Sequence, residues 1–188
     1  GEADLASRTA MLDAPSRAAL TSALAAAKFD YKSGTTLSLR GHGGYDRILL
    51  IGTAENRAKP STPRDYGGRA GADTMGDAAP VSVLAPQAAE EVALGAVLGS
   101  YRFDRYKSKP GDAPPPLTLV TPDAAAARAR FEAAGAPLAR AVAFTRDLVT
   151  EPGNAVYPES FVERVRAEVQ GLTGVTIEAL DVAAMDKL

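Results

Sequence analysis

The stretch DRILLIGT, Asp46–Thr53, sets the strongest limit on what this chain can fold into. A strand with one wet face alternates apolar and polar residues, whereas Ile48–Ile51 is apolar without a break, the pattern of a strand covered on both faces. Just before it, TTLSLRG (35–41) does alternate, and GHGG (41–44) reads as a turn. The two strands therefore predict a hairpin within a sheet flanked by helices.

The surrounding segments repeat that theme. LDAPSRAALTSALAAAKFDYKSG offers Asp13 as an N-cap, Pro15 in the first turn and apolar residues at 20, 24 and 27, an amphipathic helix closing near Gly34. Residues 53–65 are loop by composition, and YGGRAGADTMGDA reads as a weak helix whose glycines permit close packing. APVSVLA and PLTLVT are short strands. Between Gln87 and Tyr106 two apolar stripes, one through Leu94, Val97, Leu98 and Tyr101 and one through Val92, Ala96, Gly99, Phe103 and Tyr106, predict a helix packed on two sides. PDAAAARARFEAAG and PLARAVAFTRDLV read as two helices, the second starting at Pro137. A Pro-bounded loop, a helix over PESFVERVRAEVQGL, a strand over GVTIEALD and the start of one more helix complete the chain. The fold class is α/β, with a mixed, mostly parallel sheet.

Composition narrows the function classes. Twenty-one Lys and Arg against 23 Asp and Glu give a net charge of −2, which excludes a surface-wide polyanion-binding field. With no cysteine there is no thiolate metal site, disulfide or cysteine nucleophile. No apolar run approaches the roughly 20 residues that span a bilayer, so no membrane partner is expected. The chain opens at Gly1 without an initiator methionine and stops as a βα unit begins, so a segment of a longer, cytoplasmic protein is expected.

Candidate residues for chemistry are few. His42, the only histidine, lies in a glycine-rich turn and is read as a turn residue rather than a catalytic base. Asp65, Asp73 and Asp77 fall along the weak helix, where four-residue spacing shares a face, and are read as solvated rather than metal-ligating. GTAENRAKP follows the buried strand but lacks a phosphate-cradling glycine pattern. SYRFDRYKSK sets Arg102, Arg105, Lys107 and Lys109 against Asp104, a local charge of +3 interleaved with aromatics. Such strips hold single-stranded nucleic acids. Helical spacing instead assigns Tyr101 and Phe103 to buried stripes and the cations to a helix C-terminus, leaving DNA contact at Lys107 and Lys109 as the alternative.

Two segments resemble a known family. LGAVLGSYRFDRYKSK (94–109) is similar to the helix late in the N-terminal domain of leucyl aminopeptidases, the cytosol aminopeptidase family, and TRDLVTEPGNAVYPESF (145–161) to their interdomain segment. Arg146, Asp147, Leu148, Val149, Glu151, Pro152, Asn154, Pro158 and Phe161 match that segment, while Thr145 and Thr150 replace its usual Ala and Asn. GVTIEALDVAAMDKL resembles the strand and helix that precede the family's glycine-rich stretch.

The resemblance implies a macro-domain-like N-terminal domain at 1–136 lacking its first strand, an interdomain helix and loop at 137–157, and the beginning of the catalytic domain at 158–188. It also implies a homohexameric hydrolase that removes N-terminal residues from peptides with two divalent metals, Zn or Mn. The family's metal ligands lie in motifs such as DTGGxxxK and NTDAEGRL, which are absent from these 188 residues. No catalytic, cofactor-binding or metal residue is therefore assigned, and the segment is expected to serve packing and assembly beside the rest of the catalytic domain. A ligand- or nucleic-acid-binding macro-like module is the alternative.

Overall fold

A computed structural model of the chain describes residues 2–54 and 62–187. Its first two helices, α1 (Glu2–Arg8) and α2 (Ala14–Ala26), are separated by a short turn. The start of α2 is fixed by Asp13, whose side chain accepts the Ser16 amide at 2.8 Å, with Pro15 in the first turn. It ends at Ala26, earlier than the sequence suggests, because Lys28 and Tyr31 adopt left-handed φ of +48° and +55° and turn the chain toward the sheet.

Strands β1 (Thr36–His42) and β2 (Tyr45–Ile51) pair antiparallel, with His42 opposite Tyr45. The two-residue connection Gly43–Gly44, φ +63° and +76°, suits the twist of a tight hairpin, and glycine alone adopts both angles without strain. Leu20, Leu24 and Leu39 form the buried centre beneath the hairpin, with Phe29, Ile48 and Leu50 packed around it. Residues of both faces of β2 are only partly covered, and all of Ile48–Ile51 stays half-buried. Full burial on both faces is thus not what this segment shows.

Helix α3 (Pro63–Asp73), strand β3 (Val81–Leu84), helix α4 (Ala89–Gly99) and strand β4 (Leu117–Val120) follow. β3 and β4 pair in parallel. A second core of Ala85, Ala89, Val92 and Ala127 joins them to α4 and α5 (Ala124–Arg130), with Tyr66, Val83 and Leu119 alongside. Among the described residues the sheet is mixed, as expected, but comprises two separate pairs.

The predicted helix through Tyr106 stops at Gly99, where the Ser100 amide donates to Ala96, and Tyr101–Asp104 run without helical structure. Pro137 does not start a new helix either. A π-helical turn, Phe131–Gly135, links α5 to α6 (Ala136–Thr150). Proline has no N–H and its ring collides with the carbonyl four residues back, so the widened turn, with the Ala136 amide reaching Phe131, lets the helix continue.

The chain divides into two compact units, Gly1–Ala143 and Phe144–Leu188. The second comprises the end of α6, helix α7 (Pro158–Val169) and the four-residue α8 (Val182–Met185). GVTIEALD forms no strand, since a strand needs a hydrogen-bonded neighbour and this unit's described residues supply none.

Candidate functional site

The acids and the histidine go to structural duties. Asp65 closes a capping box at the start of α3, its carboxylate accepting the Thr62 amide and hydroxyl at 2.8 Å each. Asp73 accepts from Arg69 one turn earlier at 2.8 Å. Asp77 lies beyond the helix end and accepts Arg47 Nη1 at 3.0 Å. That guanidinium also donates to the Asp73 carbonyl and to Ser38, tying β2 and β1 to the end of α3. The three aspartates therefore do not share one face. His42 is the last residue of β1, half-buried. Among the described residues no three His, Asp or Glu side chains converge as a metal site.

The glycines of YGGRAG have a packing role. A Cβ on Gly67 would run into the Val92 carbonyl, one on Gly71 into that of Ala96, one on Gly95 into that of Arg64 and one on Gly99 into that of Gly68. Four-residue spacing on α3 and again on α4 brings the two backbones into contact, which a side chain at any of these positions prevents. Arg64 and Glu91 pair across the same interface at 2.7 Å.

The basic, aromatic strip is a loop organised by its one acid. Asp104 pairs with Arg102 Nε and with Lys107 Nζ, both at 2.6 Å, and accepts the Gly111 amide at 3.1 Å. Arg102 Nη2 donates to the carbonyls of Gly111 and Asp112 at 2.8 and 2.7 Å. The hydrogen-bonded Lys107 holds the Asp104 carboxyl below its ordinary 3.8, aided by the Gly111 amide and the charge of Arg102 against desolvation. Phe103 and Tyr106 rings meet at 5.8 Å and the Arg105 guanidinium lies 5.6 Å from the Phe103 ring. Tyr101 and Phe103 are thus not on helical stripes. Two of the strip's four cations, Arg102 and Lys107, are bound to Asp104, so the local charge of +3 is held in a loop built around that acid.

In the second unit, Glu151 is the one buried residue among those described. Its carboxylate accepts Arg164 Nη1 at 3.0 Å, and Arg164 also donates to the Ala155 carbonyl at 3.3 Å. The Pro152 carbonyl receives the Ala155 and Val156 amides, while the Ser160 hydroxyl accepts the Tyr157 amide and returns a bond to Ala155. Arg164, thirteen residues beyond Glu151, escaped sequence reading because spacing gives no sign of a pair formed across a loop.

The segment Glu151–Phe161 is therefore a folded link held by an ion pair, matching the stretch whose motif is most specific. Residues 2–110, more than half of the chain, match the model of the cytosol aminopeptidase family, N-terminal domain. The chain belongs to the cytosol aminopeptidase family. Its relatives in the family include a probable cytosol aminopeptidase of Bradyrhizobium sp. (strain BTAi1), 38% identical over 88% of this chain and 36% of that protein. Another, from Dinoroseobacter shibae, is 35% identical over 92% of this chain and 35% of the relative. The chain thus spans about a third of the length of the curated aminopeptidases it matches. A solved tomato leucine aminopeptidase mutant shares the fold with a TM-score of 0.75 at 23% identity, over 89% of this chain and 36% of that one. The bottromycin maturation enzyme BotP, solved also in complex with Mn, matches at 0.61 with 24% identity, over 87% of this chain.

Proposed function

We infer that residues 1–188 are the N-terminal, non-catalytic portion of a metal-dependent aminopeptidase, in which 1–136 is a macro-like domain, 137–157 an interdomain helix and loop, and 158–188 the opening of the catalytic domain. The observation that carries this reading is the family match over 2–110 in a chain spanning only about 36% of its relatives. The activity is the release of N-terminal residues from peptides in the cytoplasm by a homohexamer, with two divalent cations, Zn or Mn, as cofactors. The family's metal-ligand motifs DTGGxxxK and NTDAEGRL do not occur in these 188 residues, and we place the ligands in the remaining polypeptide. This segment's contribution is packing and assembly: α3 and α4 form a rigid pair, and the Glu151–Arg164 link fixes the path from α6 into α7.

The test is a comparison of two proteins. The full reading frame is expected to release leucine from leucine p-nitroanilide when Mn or Zn is supplied, and residues 1–188 alone are expected to release none. Turnover by 1–188 alone, or a metal-loaded full-length protein without activity, overturns the assignment. Saturable binding of ADP-ribose or single-stranded DNA to residues 1–188 at 150 mM salt, roughly physiological, supports the binding-module alternative instead.

A further inference from the structure

A cleft of about 500 Å³ opens in the first unit where α3, α4 and the turn between α5 and α6 meet. Its volume falls within the roughly 300–1,000 Å³ of sites that hold small molecules. The residues of the π turn leave this space open. Ala133, Ala134 and Gly135 present almost no side chain to it, and a Cβ on Gly135 would come within 2.6 Å of the Phe131 ring. Leu94, which is 2% exposed, and Leu138, which is 43% exposed, supply apolar surface.

Two ion pairs border the same cleft. Glu91 on α4 meets Arg64 of α3 at 2.7 Å, and its neighbour Glu90 meets Arg130 of α5 at 3.1 Å. Both Arg64 bonds fall on Oε2 of Glu91 and the Arg130 bond on Oε2 of Glu90, so neither arginine hydrogen-bonds an Oε1. The donors are Nε and Nη2 of Arg64 and Nη2 of Arg130, which leaves Nη1 of each unused among the described residues. Each arginine side chain is about half exposed. Ion pairs this exposed are weak and exchange partners at little cost.

A ligand entering the cleft meets opposite charges no more than 3.1 Å apart within each pair. A bare carboxylate is repelled by the two acids, and a bare amine by the two arginines. Both demands are met by a molecule whose own opposite charges are close together. In an α-amino acid the ammonium and carboxylate share one carbon, whereas the termini of even a dipeptide stand a peptide unit apart. An apolar side chain on that carbon has Leu94 and Leu138 to cover.

We propose that the cleft binds a free α-amino acid with an apolar side chain, its carboxylate held by Arg64 and Arg130 and its ammonium by Oε1 of Glu90 and Glu91. Free amino acids are the class of product that the proposed activity releases, but the charges of the cleft call for this ligand whichever reaction the intact protein performs. Because the test reads no peptidase activity, its failure leaves the functional assignment untouched.

Hydrogen exchange of the full-length protein, resolved into peptides by mass spectrometry, is compared with and without L-leucine at about 10 mM, ten times a Kd of about 1 mM. Amides that exchange only from the unliganded state slow by one plus the ratio of ligand to Kd, so about tenfold slowing is expected over 88–95 and 130–138. Isocaproate, which lacks the ammonium, and isoamylamine, which lacks the carboxylate, are expected to slow the same amides less than about twofold. Arg64→Gln combined with Arg130→Gln is expected to reduce the slowing by leucine to less than about twofold. Absence of slowing with leucine, equal slowing by either singly charged analogue, or full slowing in the double variant overturns the proposal. If the double variant does not fold, the three ligands on the unaltered protein decide.

Discussion

Asp104 shows how one acid converts a run of cations into a closed loop. Its depressed pKa means that the folded loop binds the Asp104 proton less readily than the unfolded chain does. The stabilisation is therefore fully present above the ordinary value of 3.8 and is lost as pH falls through the lower folded value. The Gly111 amide resonance, which reports its bond to Asp104, is expected to titrate with a midpoint below 3.8. Asp104→Asn is expected to abolish that titration; a midpoint at or above 3.8 contradicts the loop's construction. Glu151 makes a second case. Removing Arg164 takes a charge partner from a buried carboxylate and is expected to loosen the link. Arg164→Met is expected to speed amide exchange at Ala155 and Val156, whereas unchanged exchange there means that the ion pair does not hold the link.

At the scale of elements, the α3–α4 contact governs the first unit. Gly67→Ala or Gly95→Ala forces a methyl group against a backbone carbonyl, which cannot swing aside as a side chain can, and is expected to cost about 1–3 kcal/mol in urea unfolding. Gly68→Ala is the control: its Cβ finds its nearest neighbour at 3.5 Å, ordinary contact, and its helix propensity improves by about 1 kcal/mol. Equal destabilisation by all three substitutions contradicts this account of the interface. The helices themselves were legible, because their caps are local: Asp13 and Pro15 start α2, and Pro158 starts α7. The end of α4 was not, since Tyr101, Phe103 and Tyr106 continue the apolar period while Arg102 reaches forward to Gly111 and Asp112 and draws the chain into a loop. Pro137 misled similarly, because a π turn accommodates the proline and no composition signal marks such a turn.

For the whole molecule, both hydrophobic cores lie within residues 1–143, and the second unit has no buried apolar side chain among its described residues. Residues 144–188 prepared alone are expected to show no cooperative thermal transition, and residues 1–143 to show one; a sharp transition in the shorter piece contradicts the division. Val149, Tyr157, Phe161 and Val182 are all at least 46% exposed, although three of them sit in or beside the motif that carries the family resemblance. The amino-acid sequence by itself determined the α/β class, the order of elements from α2 to α7 and the family, because caps, periodicity and short motifs act over a few residues of chain. Tertiary structure alone decided that the sheet lies in two separate pairs. It also decided that the strip at 101–112 is a loop organised around Asp104 rather than a helix, and that Arg164 pairs with Glu151. Each of these depends on which backbone and which charge meet across space, and linear spacing holds no record of that distance.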